Sequence, residues 1–172
     1  MTTRMARVQN AAILLGAGLG GLFNNVLLQQ ILQWHGMLSS RVPLESLEAA
    51  RKNLQAAGWV NVVAVAVCFC AAWLLLRALR DSGRVPSPLG FVSHVLLGWG
   101  VFNIVEGVVY HHVLELHHVH DMPALEPLYD WLYLLGSGLG LILLYLVLRD
   151  PRPPELPFGE RRSGHDRRAA DA

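Results

Sequence analysis

The chain is short of charge: 16% of its 172 residues are charged against 53% hydrophobic, and its runs longer than about 20 apolar residues leave little room for a soluble surface. It has two cysteines, Cys68 and Cys70. They lie two apart in an apolar run, point to nearly opposite sides of a helix, and so exclude a disulfide with each other. Its arginines have no aromatic residues interleaved among them, which excludes a nucleic-acid surface. No small-residue cleavage site follows the first apolar run, where Gln29, Gln30 and Gln33 stand instead, so that run reads as a retained helix and not a signal peptide. The third connection, after His111, lacks lysine and arginine altogether.

Four runs are long enough to cross a bilayer: about 11–33, 59–79, 90–111 and 129–148. The length is that of one domain. The expected fold is all-α, a polytopic membrane protein of four transmembrane helices in a compact bundle over residues 1–150. The proline- and charge-rich stretch 151–172, with His165, reads as a disordered tail. The segment after Pro43, with Leu44, Leu47 and Leu54 between charges, reads as a short surface helix that Gly58 ends or separates from the second span.

Basic residues set the expected orientation. Arg4 and Arg7 precede the first run, Arg77, Arg80 and Arg84 fill the second connection, and six arginines from Arg149 on occupy the tail. The first connection holds only Arg41, Arg51 and Lys52. Both ends are therefore expected in the cytoplasm, with the protein multi-pass in the inner membrane. Trp34, Trp59, Tyr110, Tyr129 and Trp131 then fall at the outer boundary, where amphipathic rings settle.

The chemistry is concentrated in Leu97–His120. Glu106 lies inside the third apolar run, and five of the eight histidines, His111, His112, His117, His118 and His120, follow within ten positions. A carboxylate at membrane depth followed by imidazoles is expensive and calls for a reason. On an ideal helix His111, Glu115 and His118 share one line at i, i+4 and i+7. The expected metal ligands are His111, His118 and Glu115, with His117 and His35 as further candidates, for copper, zinc, iron or manganese. Haem ligation by a histidine pair is the lesser alternative. Glu106, Asn24, Asn25, Gln29, His112 and Asp130 form the expected polar set within the membrane, with Asp130 as a carboxylate behind a ligand. No catalytic residue is indicated.

A second class of function stays open: a scaffold without metal, in which the same residues join helices or meet a membrane-protein partner or a second copy. His94 reads as an interface histidine. Polar groups crowd one half of the spans, which argues against a channel. The glycines Gly16, Gly18, Gly20 and Gly21, Gly98 and Gly100, and Gly136, Gly138 and Gly140 indicate close helix packing.

The first and third runs also look like copies. Laying Gln29–Gln30 over His111–His112 (111 − 29 = 82) places Gly16 on Gly98, Gly18 on Gly100, Gln33 on Glu115 and His35 on His117. It places Asn24 on Glu106, so the first copy carries amides where the third run carries carboxylate and imidazole. Amides are poor transition-metal ligands beside those groups.

The stretches GWGVFNIVEG at Gly98–Gly107, HH at His111–His112, HHV at His117–Val119 and QILQWH at Gln30–His35 resemble a family of bacterial membrane proteins known as domain of unknown function 2243. The resemblance runs from about Gly16 to Leu148. It departs at polar positions: Asn24-Asn25 stands for an Asp-Gly, Gln29 for a His, Gly36 for the second His of WHH, and Tyr110 for an Asp. The DGLFH segment becomes Ala57-Gly58-Trp59-Val60-Asn61. The resemblance implies a membrane protein of which this chain is a divergent member. If the family builds a metal centre from both repeats, this chain keeps part of it. The family name supplies no activity.

Overall fold

A computed structural model describes residues 3–82 and 86–149. Arg84 and the segment 151–172 lie outside the described residues. Helix α1 (Thr3–Asn24) runs without a break into a π-helical segment, Asn25–Ile31. Helix α2 (Leu47–Ser82) follows, then α3 (Pro88–Glu106), which continues as a second π-helical segment, Gly107–Val113. The fourth span is α4 (Leu128–Leu132), a third π-helical segment Tyr133–Leu139, and α5 (Gly140–Leu148). The described residues contain no strand, and four helices are long and apolar enough to span a membrane.

Two boundaries differ from the sequence reading. The first span begins at Met5 and leaves its helix after Ile31. The surface helix after Pro43 and the second span are one continuous helix of 36 residues. Gly58 does not interrupt it, because a lone glycine costs a helix only about 1 kcal/mol. The alanines, leucines and long charged side chains around it supply the propensity. At 1.5 Å per residue α2 is about 54 Å long, well over the roughly 30 Å of hydrocarbon. Its polar first turns therefore extend past the apolar layer.

α1 and α3 form the centre, with α2 against α1 and the fourth span against α3. The interior is built from small residues. Ala57, Ala64, Ala71 and Ala78 recur every seven residues along α2 and are all buried, giving a narrow seam toward α1. The large apolar side chains point outward instead: Trp59, Phe69, Trp73, Leu135 and Val147 are all more than half exposed. That inversion suits lipid, which solvates a leucine as well as another leucine does, so helices associate through close backbone approach.

The closest approach is between α1 and α3. A Cβ at Gly16 would stand 1.9 Å from the Val95 carbonyl oxygen, and one at Gly98 1.8 Å from that of Ile13. At the opposite end from the 83–87 connection, the remaining two connections cross over one another. Ser40 N donates to Leu116 O at 3.1 Å, and Met122 N donates to Trp34 O at 2.9 Å. Ser39 Oγ donates to Asp121 Oδ2 at 2.5 Å, a pair 82 residues apart. The N-terminal end of α2 anchors the first connection: the buried Asn53 accepts from Leu38 N and donates to Val42 O.

A candidate metal centre where the two connections cross

The π-helical segments that end the first and third spans each lead to inward histidines. In a π-turn the backbone bonds i to i+5, so side chains five apart stack on one face. The segment after α3 thereby carries His111 above Glu106, with Nε2 3.8 Å from Glu106 Oε1. Leu114 N closes that segment on Val109 O at 2.8 Å. Glu115 then takes a left-handed conformation, φ 47, which turns the chain back toward the bundle. His117 follows it inward, fully buried, with Nε2 3.5 Å from Glu106 Oε1. The first connection makes the same turn: Leu32 N bonds Leu27 O, Gln33 sits at φ 53, and His35 is buried behind it.

Each of these two histidines is held by the other connection. His35 Nδ1 donates to Val119 O at 3.0 Å, and His117 Nδ1 donates to Met37 O at 3.0 Å. A carbonyl only accepts, so both Nδ1 atoms carry the proton and both Nε2 atoms keep a lone pair. The two rings stack with centroids 4.5 Å apart and planes 12° apart. Burial, and then the neighbouring His117, pushes the pKa of His35 down to about 4, so it is neutral at pH 7.

Glu106, His111 and His117 place one donor atom each within 4.8 Å of one another. Two donors bound to one metal at tetrahedral geometry with 2.0–2.1 Å bonds lie about 3.4 Å apart. The observed 3.5 and 3.8 Å require only a small closure. Glu106 Oε2 and His117 Nε2 are buried without a hydrogen-bond partner. Buried groups left in that state are costly, and a cation between Glu106 Oε1 and the imidazoles would satisfy His117 Nε2.

Behind the donors stands Asp130, 3% exposed at the start of the fourth span. Its Oδ1 accepts from Val119 N at 2.8 Å and lies 3.3 Å from His111 Nδ1, off the line of a hydrogen bond. Its Oδ2 is 2.7 Å from His118 Nδ1. A carboxylate behind a ligating imidazole fixes the ring and raises its basicity. A neutral network braces the opposite side. Asn24 Nδ2 donates to Asn103 Oδ1 at 3.0 Å and to the Tyr133 hydroxyl, and Asn103 Nδ2 donates to Ser137 O at 3.1 Å. This ties the first, third and fourth spans together.

Of the residues picked out from the sequence, the structure brings together His111, His117 and Glu106, with His35 stacked on His117 and Asp130 behind. His118 faces Asp130, not the donor group. Glu115 is exposed, and the ideal-helix line through His111, Glu115 and His118 does not form, since the helix ends at Val113. His112 is exposed, packing on Trp131 with centroids 5.4 Å apart. Asn25 and Gln29 line a small cavity beside Glu106. His94 bonds Gly90 O of its own helix and packs edge-on against Tyr145. Tyr133 and Asn103 went unread in the sequence. Tyr133 lies one turn after Asp130 on the same helical face, which was the available signal.

A family model described as a predicted membrane protein, DUF2243, matches residues 11–151. No curated protein and no solved structure matches the chain.

Proposed function

The chain belongs to the DUF2243 family of predicted membrane proteins, and from that premise we propose that it binds one divalent transition metal through Glu106, His111 and His117. The observation that carries this reading is the convergence of three donor atoms within 4.8 Å, each of their residues holding a buried polar atom with no partner. Two imidazoles and a carboxylate suit zinc, copper, iron or manganese. Met37 O holds His117 in one tautomer, and the Asp130 carboxylate lies 3.3 Å from His111 Nδ1. A bound metal would supply positive charge at depth, offsetting that of Glu106.

The reading extends to origin and orientation. The His35–Val119 and His117–Met37 bonds exchange places under a shift of 82 residues, as do the Gly16–Val95 and Gly98–Ile13 contacts, which supports descent from a duplicated helix pair. With the described arginines Arg7, Arg77 and Arg80 on the side away from the centre, the centre faces the periplasm of an inner-membrane protein. A reporter fused after Ala172 should read cytoplasmic, and a periplasmic signal would reverse this orientation.

The experiment is elemental analysis with an absorption spectrum on the full chain, purified in detergent without chelator or His-tag. The expected result is about one equivalent of a single transition metal, as a three-ligand site takes. Protein that carries no metal and takes none up on titration would remove the centre. The polar residues would then be the joints of a metal-free bundle, as the Asn24–Asn103–Ser137 links already are.

A further inference from the structure

Beside Glu106 lies a cavity of about 20 Å³, bordered by Asn25, Gln29, His35, Val60 and Tyr110. One water needs roughly 10–15 Å³ on this measure, so the space suits a single water-sized occupant and not a larger molecule. Its walls specify what that occupant offers. Asn25 is 3% exposed, its Nδ2 is committed to Ala57 O at 2.9 Å, and its Oδ1 has no partner. Glu106 Oε2 is likewise buried without a partner in hydrogen-bond geometry, with the Tyr133 hydroxyl beside the carboxyl group. Both unfilled groups are acceptors, and among the described residues no lysine or arginine borders the space. An anion would meet these oxygens unfavourably. An apolar occupant would leave them unsatisfied, at about 1–3 kcal/mol each. A small molecule that donates hydrogen bonds fits.

Glu106 belongs to the cavity wall and to the donor group alike. Three protein donors leave a divalent metal one position short of a closed tetrahedral set, which is the arrangement of reactive sites as opposed to structural ones. We propose that this cavity is the external-ligand pocket of the centre. It admits a neutral, water-sized hydrogen donor to the metal's remaining position and holds it by Asn25 Oδ1. This rests on the metal reading above. The selectivity is by size and donor character: water and molecules of similar bulk enter, and larger neutral ligands such as imidazole do not. Val60 borders the pocket from α2, and Asn25 borders it from the first span.

The test uses full-length protein in detergent loaded with Co(II), with the electron paramagnetic resonance spectrum recorded in ordinary and in oxygen-17-enriched water. Wild-type protein should show oxygen-17 broadening. Val60→Phe, which fills the space from a residue that is not a donor, should keep its cobalt and lose the broadening. Asn25→Leu, which removes the acceptor, should do the same and serves as the second variant should one fail to fold. Bound cobalt without broadening in the wild type, or broadening that survives in folded variants, would overturn the pocket and leave the centre standing. Failure to take up cobalt at all would remove the centre and the pocket together.

Discussion

Gly98→Ala is expected to destabilise the bundle by about 3 kcal/mol or more, at the upper end of what overpacking a tight interior costs. The new Cβ would stand 1.8 Å from Ile13 O and 2.6 Å from its carbonyl carbon. Both are backbone atoms, so no rotamer change relieves the clash, and α1 and α3 must part along their length. Gly16→Ala should behave alike, its Cβ meeting Val95 O at 1.9 Å. Gly58→Ala and Gly136→Ala are the controls, because nothing lies within 4 Å of either position. They should match the wild type or gain up to about 1 kcal/mol from helix propensity. Unfolding in mixed micelles of increasing SDS content measures all four. Wild-type stability in Gly98→Ala would mean that the two central helices do not cross at this point.

Removing two of the three donors should abolish metal retention. His111→Ala combined with His117→Ala leaves Glu106 alone, and metal should be lost on dialysis against buffer while circular dichroism still reports helix. His118→Ala should act indirectly. It leaves the donor group intact but unties Asp130 from its closest imidazole, 2.7 Å away, and is expected to weaken affinity about 10–100-fold. Glu115→Ala, at an exposed position, should leave metal content unchanged. Full retention in the double variant would take both histidines out of the ligand set.

These contrasts also mark what could be read from the sequence. The four spans were legible because each is an apolar run whose length alone fixes its structure in lipid. The continuity of α2 through Gly58 was not, since glycine punctuates helices often enough to suggest a boundary, and here the flanking helix formers outweigh its cost. The histidines were visible as a cluster, but the carboxylate that joins them was misplaced. At 3.6 residues per turn, Glu106 and His111 point about 140° apart, while His111 and Glu115 align. The π-helical turn changes that period locally and stacks Glu106 with His111. Glu115 falls beyond the helix, where its left-handed backbone turns His117 inward. No pattern of apolar residues records such a turn. The carbonyl partners, Met37 O and Val119 O, are backbone atoms and carry no side-chain signature at all.

The crossed connections bear on how the protein is made. A ribosome delivers the first helix pair to the membrane before the second exists. At that stage His35 has no Val119 carbonyl to anchor it, and Met37 O has no imidazole to hold. The second pair carries all three donor residues, and the first pair carries the carbonyl that orients His117 and the imidazole stacked on it. The cluster and its anchoring are complete only when the second pair has arrived and the two loops have closed on each other, so a chain stalled midway holds a first connection whose inward imidazole and carbonyl are both unpartnered.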